Sequence, residues 1–511
     1  MPQWHDGLAA RNLAEFATSS GGSHDRLLLD CDDGRRFTFA EFWALAGRLA
    51  FALKQSGATP GDRIAVQVDK SPEAIALFWA CVRGGFIYLP LNTAYTASEV
   101  TYFVRDAEPA VLVTTPMRVN ELAPVAARAK CKVVLSLDDE GGGSLVDAAT
   151  SLIADHVSNW DDLAAILYTS GTTGRSKGAM LSHGNLASNA LALVESWQFA
   201  PEDLLIHALP VYHTHGLFTA TNTILFSGGA MFFRRRFDAD DVMRLMPAAT
   251  AMMGVPTFYT RLLHHAGLTR AATAHMRLFV SGSAPLLEET HRDFQLRTGH
   301  AILERYGMTE TSMNTSNPYV GERRVGTVGM PLPHISVRVA DPHAHTELPP
   351  ESDGMIEVKG PNVFKGYWRN PAKTAEDMTA DGWFITGDMG RISADGYVTI
   401  SGRAKDLVIT GGFNVYPKEI ELVIDALPGV LESAAFGVAH PDFGEGVTAA
   451  VVGKPGTALD EAAILGRLKT QLAAFKCPKR ILILPELPRN AMGKVQKAVL
   501  RERWKDLYRP V

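Results

Sequence analysis

An α/β fold with a largely parallel sheet and a smaller C-terminal domain is what the sequence predicts, and three observations predict it. Short apolar runs alternate with helical stretches through most of the chain. The 511 residues exceed what one hydrophobic core accommodates, so two or more domains follow. Near residue 388 the pattern turns to hairpin signals and then to a compact unit of mixed strands and helices.

The elements can be justified in order. The start, MPQWHDGLAARNLAEF, lacks the basic and then apolar build of a signal peptide, which predicts a cytoplasmic chain. Strands are expected at RIAVQV, FIYLPL, AVLVTT, KVVLSL, AAILYTS, AMFFRR and MRLFVSGSA. The most apolar stretch, AIALFWACVRGGFIYLPL, is broken by Arg83, Gly84 and Gly85 and is too short on either side to span a bilayer. It reads as a buried helix, capped by Ser71 with Pro72 in its first turn, that leads into a strand. In GDMGRISADGYVTISGRAKD, Asp395 and Gly396 form a hairpin turn. Beyond it come a strand at LVITGG, a helix at PKEIELVIDAL, strands at ESAAFGVAH and VTAAVVG, a helix over DEAAILGRLKTQLAAF, a strand at KRILILPEL and a closing helix. The expected boundaries are an N-terminal domain over 1–402, a hinge at 403–406 and a C-terminal domain over 407–511.

Composition narrows the function classes. A hydrophobic fraction of 46% and a charged fraction of 21% are those of an ordinary globular protein. The net charge of −5 and the lack of a basic face argue against nucleic acid as a partner. Arg234, Arg235 and Arg236 form the one dense basic cluster, read either as a solvated strand end or as a phosphate contact. Cys31, Cys81, Cys131 and Cys477 have no metal-ligand spacing and read as free thiols.

Residues 168–178, YTSGTTGRSKG, combine glycine, hydroxyl side chains and a lysine with no acid, which suits phosphate oxygens. The common P-loop needs glycine directly before its lysine and a hydroxyl directly after it. Here Ser176 precedes Lys177 and Gly178 follows, so a P-loop ATPase is not expected.

That loop, ERYGMTE, GWFITGD, GRAKD and PRNAMGK stand in the order and spacing of the adenylate-forming enzymes, the superfamily of acyl-CoA synthetases, luciferases and peptide-synthetase adenylation domains, which the chain resembles over essentially its whole length. Within it, HALPVYHTHGLF, MGVPTFYTRLL, SGSAPL, ERYGMTETSMNTSNPY and GGFNVYPKEIE most resemble the malonyl-CoA synthetases. The resemblance implies a large N-terminal α/β domain with layered sheets and a small mobile C-terminal α+β domain. It also implies that malonate, or methylmalonate, is activated with ATP to an acyl-adenylate and passed to coenzyme A, releasing pyrophosphate and AMP.

Residue roles follow from the same resemblance. Thr169, Ser170, Gly171, Thr172, Thr173, Gly174 and Lys177 would close over the β- and γ-phosphates. Thr309 would touch the α-phosphate, and Glu310 would hold Mg²⁺, which is content with one or two carboxylates plus substrate oxygens. Ser283, Ala284, Glu304, Tyr306 and Gly307 would line the adenine, with Tyr306 stacking on it. Asp388 would accept the ribose hydroxyls and Arg403 would reach ribose or phosphate. Lys494 would bridge the reacting carboxylate and the α-phosphate, and a lysine acetyltransferase and deacetylase acting on it would switch adenylation. Rotation about Lys405 would bring Gly411 and Gly412 to the pantetheine arm.

A second carboxylate buried without a partner is prohibitive, so a guanidinium is expected in the acyl pocket. Arg261 is the candidate, with His213 and Ser283 as neighbouring donors and Arg236 as a rival; His215 is left unassigned. Two readings stay open: a ligase for acetate, propionate or an aryl acid, and a nucleotide-binding module without catalysis.

Overall fold

The computed structural model describes the chain except residues 1–4, 6–9, 11, 21–23, 170–175, 411–412, 473, 491–492 and 510–511, and the side chains of residues 20, 413 and 414. Its residues form two compact units, Met1–Val337 with Val358–Phe384, and Arg338–Glu357 with Ile385–Val511. Residues 338–357 and 385–402, expected in the N-terminal domain, thus group with the C-terminal part. The strands Gly354–Lys359 and Phe384–Ile392 straddle the division, because one four-stranded sheet links Ser336–Ala340, Gly354–Lys359, Phe384–Ile392 and Val398–Arg403 in that order.

The first unit is built on two sheets with parallel centres. One runs from Val133–Ser136 through Val111–Thr114, Arg63–Gln67 and Ile87–Pro90 to Leu163–Thr169, and ends on the antiparallel strand Lys177–Ser182. The other has parallel neighbours Leu27–Cys31, Ala230–Phe233, Leu204–His207, Ala251–Gly254, Leu278–Ser281 and Leu303–Met308, with antiparallel strands at both edges. Strands buried on both faces read as continuous apolar runs, which is why these were visible in the sequence. The helix Pro72–Gly84 starts as expected: the Ser71 hydroxyl accepts from Ala74 N and Pro72 occupies the first turn. Gly85, at φ +72°, ends it and frees the chain to enter the strand Ile87–Pro90.

In the second unit, Phe384–Ile392 and Val398–Arg403 form the predicted hairpin, with Gly396 at φ +93° in its turn. The five-stranded sheet pairs Val430–His440 with Gly444–Gly453, and Arg480–Leu484 lies parallel to the latter. The helices Pro417–Asp425 and Glu461–Leu468 cover a core of Val415, Ile420, Ile424, Val447, Ala449, Val451 and Leu468. The helix expected over DEAAILGRLKTQLAAF stops at Leu468. Thr470 turns its hydroxyl to Arg467 O at 2.7 Å, a local bond that competes with helix propagation. Among the described residues, no helix is long and apolar enough to cross a membrane.

Candidate active site

In the first unit, Thr169 pairs with Lys177 across antiparallel strands. Ser170, Gly171, Thr172, Thr173 and Gly174 lie outside the described residues, as do Gly411 and Gly412. Lys177 Nζ stands 4.6 Å from the centre of the Tyr367 ring and 4.0 Å from Asp377 Oδ2. Asp377 is held in turn by Lys373 at 2.8 Å.

Glu310 and Thr309 sit on the tight turn between the strands Leu303–Met308 and Ser312–Ser316. The turn needs Gly307: a Cβ there would lie 1.9 Å from Ser312 O, at the register shift between Tyr306 and Gly307. Glu310 is only 6% exposed, and the Tyr367 hydroxyl donates to its Oε1 at 3.0 Å. Burial and then the Glu310 carboxylate push the Tyr367 phenol far up, so it stays a protonated donor. Glu304 and Tyr306 are buried on the strand before this turn, and Glu304 Oε1 lies 3.5 Å from His291 Nδ1. Ala284 is exposed, one residue beyond Ser283, which adopts φ +71°.

The acyl-side residues differ from the expectation in three respects. Arg261 is exposed on the helix Pro256–His264 rather than buried as expected for the partner of an enclosed second carboxylate. Arg236 is exposed as well, while Arg234 pairs with Asp241 at 3.1 Å and Arg235 with Asp139 at 2.9 Å, which makes that basic cluster structural. The third difference is Arg305, two residues before Gly307, which is 5% exposed. Its Nε and Nη2 meet no protein acceptor among the described residues. Its guanidinium packs so closely on Gly282 that a Cβ there would come within 2.3 Å of it. Burial pushes its pKa down to about 9, still leaving it protonated at neutral pH.

Next to Gly282, Ser283 Oγ lies 3.2 Å from His215 Nδ1. His215 opens a π-helical turn, His215–Ala220, a geometry that recurs at functional sites. Burial and then the charge of Arg305 hold its imidazole well below the usual value, hence neutral. His213, the expected pocket donor, is half-buried and its carbonyl accepts from Leu217 N at 2.9 Å. Tyr367 was not singled out from the sequence, and Arg305 was read only within the stretch ERY expected to line the adenine. Arg305 lay inside the quoted ERYGMTE motif, where a charge between two strand residues that read as buried was the available signal.

In the second unit, Asp388 is 4% exposed and Arg403 Nε reaches its Oδ1 at 2.7 Å, across paired strands. Asp388 N donates to Thr386 Oγ1, which donates to Ile356 O at 2.7 Å. Lys405 lies in a 3₁₀ turn, Ala404–Asp406, and burial lowers its pKa. Asp406 beside it accepts from Arg501 at 2.6 Å. Lys494 is exposed on a turn closed by Asn490: Lys494 N donates to Asn490 Oδ1 at 2.9 Å, and Asn490 N donates to Lys494 O at 2.9 Å. Gly493, at φ +75°, is a left-handed residue beside Lys494.

The profile of the AMP-binding enzyme family matches residues 16–368, and that of the AMP-binding enzyme C-terminal domain matches residues 419–494. The chain is similar to a feruloyl-CoA synthase of Amycolatopsis sp., 34% identical over 92% of this chain and 94% of the relative. It is similar also to a malonate–CoA ligase of Arabidopsis thaliana, 32% identical over 96% and 88%. Among solved structures, ATP-bound MatB from Rhodopseudomonas palustris is 57% identical with a TM-score of 0.95, covering 98% of this chain and 99% of that one. With matches of this extent on both parts of the chain, the protein belongs to the AMP-binding enzyme family and has the adenylate-forming fold.

Proposed function

We propose that the protein ligates malonate, with methylmalonate as a possible second substrate, to coenzyme A through an acyl-adenylate, using ATP and releasing pyrophosphate and AMP. The observation that carries the choice of acid is Arg305, a buried guanidinium whose Nε and Nη2 find no hydrogen-bond acceptor among the described residues. Leaving a buried cation unpaired is costly, and a carboxylate is its natural counter-ion. The distal carboxylate of malonate would occupy that position, with Ser283 as a neighbouring donor and neutral His215 beside it. The malonate–CoA ligase relative supports the same acid. The feruloyl-CoA synthase relative favours an aryl acid as the second reading.

In the first half-reaction the reacting carboxylate attacks the α-phosphorus and pyrophosphate leaves. Lys494 orients the nucleophile and offsets charge on phosphorus, Lys177 and Thr169 meet the outer phosphates, and Thr309 meets the inner one. Asp388 accepts the ribose hydroxyls, with Arg403 beside it. A single buried carboxylate, Glu310, fits a magnesium ion held chiefly by phosphate oxygens, and among the described residues no cluster of three metal-ligating side chains competes. That ion would neutralise phosphate charge when bound. In the second half-reaction the thiol of coenzyme A attacks the carbonyl and AMP leaves, with Lys405 as the pivot between the two steps and Gly411 and Gly412 along the pantetheine arm. Exposed Lys494 is open to an acetyltransferase and deacetylase, which would switch off only the first step. Four free cysteines suit a cytoplasmic site of action.

The test is Arg305→Met. Losing one partner of a buried charge pair costs about 2–5 kcal/mol, so kcat/KM for malonate falls roughly thirty-fold to several thousand-fold. Acetate and butyrate, which bring no second charge, are used as well as before or better. Equal loss for malonate and butyrate would make Arg305 structural and remove the support for a dicarboxylate.

A further inference from the structure

One short stretch, residues 364–368, is bonded to both of the motifs that face phosphate. Phe364 N donates to Glu310 O at 2.8 Å. Met180 N donates to Gly366 O at 3.0 Å, Lys365 N to Met180 O at 2.8 Å, and Trp368 N to Gly178 O at 2.7 Å. The stretch therefore acts as an extra backbone partner for the strand Lys177–Ser182. At its centre stands Tyr367, 4% exposed. Its N–H is tied to Thr374 Oγ1 at 2.8 Å, and its ring meets Phe364 edge-on with centroids 4.8 Å apart. The side chain then makes contacts of two kinds: its hydroxyl donates to Glu310 Oε1 at 3.0 Å and also interacts with the Asp377 carboxylate, and its ring face lies 4.6 Å from Lys177 Nζ.

We infer that Tyr367 is a positioning residue that sets the metal-facing carboxylate and the phosphate-facing ammonium against each other before the nucleotide arrives. The inference rests on the reading of Glu310 as the metal ligand and Lys177 as a phosphate contact. A donor on one oxygen fixes the plane of a carboxylate, and outer partners of this kind commonly govern a ligand's affinity for its metal. The ring face restrains a flexible lysine without neutralising it, since the attraction is to the ring's quadrupole and not to a counter-charge. Among the described residues, Asp377, 4.0 Å from Lys177 and itself paired with Lys373, is the carboxylate within ion-pair distance of that lysine. Tyr367 thus holds Lys177 in place while leaving its charge for the nucleotide.

Two variants separate the two kinds of contact. Tyr367→Phe keeps the ring and deletes the hydroxyl; Tyr367→Leu deletes both. Binding of Mn²⁺ is followed by electron paramagnetic resonance in the presence of a non-hydrolysable ATP analogue, and binding of the analogue alone by calorimetry in EDTA. Tyr367→Phe weakens Mn²⁺ binding about tenfold, the scale of a lost hydrogen bond to a charged group, and leaves metal-free analogue binding and KM for malonate unchanged. Tyr367→Leu also weakens the metal-free analogue, by roughly two- to fivefold. Unchanged Mn²⁺ affinity in Tyr367→Phe overturns the inference, and so does a parallel loss in malonate KM, which would mark a general packing defect. Glu310→Gln is the control for the underlying reading. If it weakens Mn²⁺ binding and Tyr367→Phe does not, the inference alone is wrong; if neither does, the metal reading falls and the inference with it.

Discussion

Two clusters meet at the strand Leu303–Met308, and they treat charge in opposite ways. After its C-terminal end, Glu310 is met by the Tyr367 hydroxyl, and Lys177 nearby has Asp377 within 4.0 Å. Within the strand, Arg305 is as buried as Glu310 but has no carboxylate partner among the described residues, only Gly282 against its guanidinium and neutral His215 nearby. The second unit follows the first pattern, with Asp388 paired to Arg403. On the proposed function, nucleotide binding would exchange one set of charge partners for another, because the ligand brings phosphates, ribose and their metal together. Arg305 would instead take its counter-charge from the acid itself. Discrimination among acids would then rest largely on Arg305, whereas nucleotide binding would be distributed over several residues.

The largest expected effect sharpens this contrast from the nucleotide side. Lys494→Ala removes the charge proposed to meet the α-phosphate and should lower adenylate formation by about a hundred- to a thousandfold or more, with every acid tested. Thioester formation from supplied acyl-adenylate is spared. Pre-steady-state assays of the two half-reactions check this, and loss of both would break the division of roles. Gly307→Ala comes next, because a Cβ 1.9 Å from Ser312 O displaces the turn that follows Arg305 and carries Glu310. Overpacking of this kind costs about 1–3 kcal/mol, visible in denaturant unfolding, and malonate and butyrate activity should fall together. Only malonate falling would mean that the two clusters are less coupled than their shared strand implies. The smallest effect is that of Arg261→Met: an exposed helical residue away from either cluster should change kcat/KM for malonate by about twofold or less. A fall of the size expected for Arg305→Met would reverse the assignment of the acyl cation.

The same contrast explains what was legible in the sequence. Strands such as Val111–Thr114 and Ile87–Pro90 are fully buried and announce themselves as apolar runs, and the helix Pro72–Gly84 carries its start signal in Ser71 and Pro72. Glu310 and Lys494 sit on turns that hold Gly307 and Gly493 nearby, and Asp388 follows Gly387, at φ +71°, within its strand, so residue type and spacing travel together. The acyl side offers no such marker. Arg261 was chosen because its helix was expected to line the pocket, but which face of a nine-residue helix points inward depends on packing against distant strands. Arg305 was masked by its own motif, since a strand arginine next to a tyrosine reads as part of an adenine wall until its burial is seen. Tyr367 belonged to no quoted motif, and its contacts with Glu310 and Lys177 join residues 57 and 190 positions away. The early end of the helix Glu461–Leu468 was missed because a threonine hydroxyl competing for a carbonyl is invisible to periodicity.

The account's central claim is that this family member activates a short dicarboxylate. The most direct measurement is AMP formation by the unmodified protein, with ATP, magnesium and coenzyme A, over a panel of malonate, methylmalonate, acetate, propionate, butyrate and ferulate at matched concentrations. The account predicts that kcat/KM for malonate exceeds that for each monocarboxylate by about tenfold or more, the least that a buried carboxylate–guanidinium pair should contribute. Preference for ferulate or for a short monocarboxylate would contradict it.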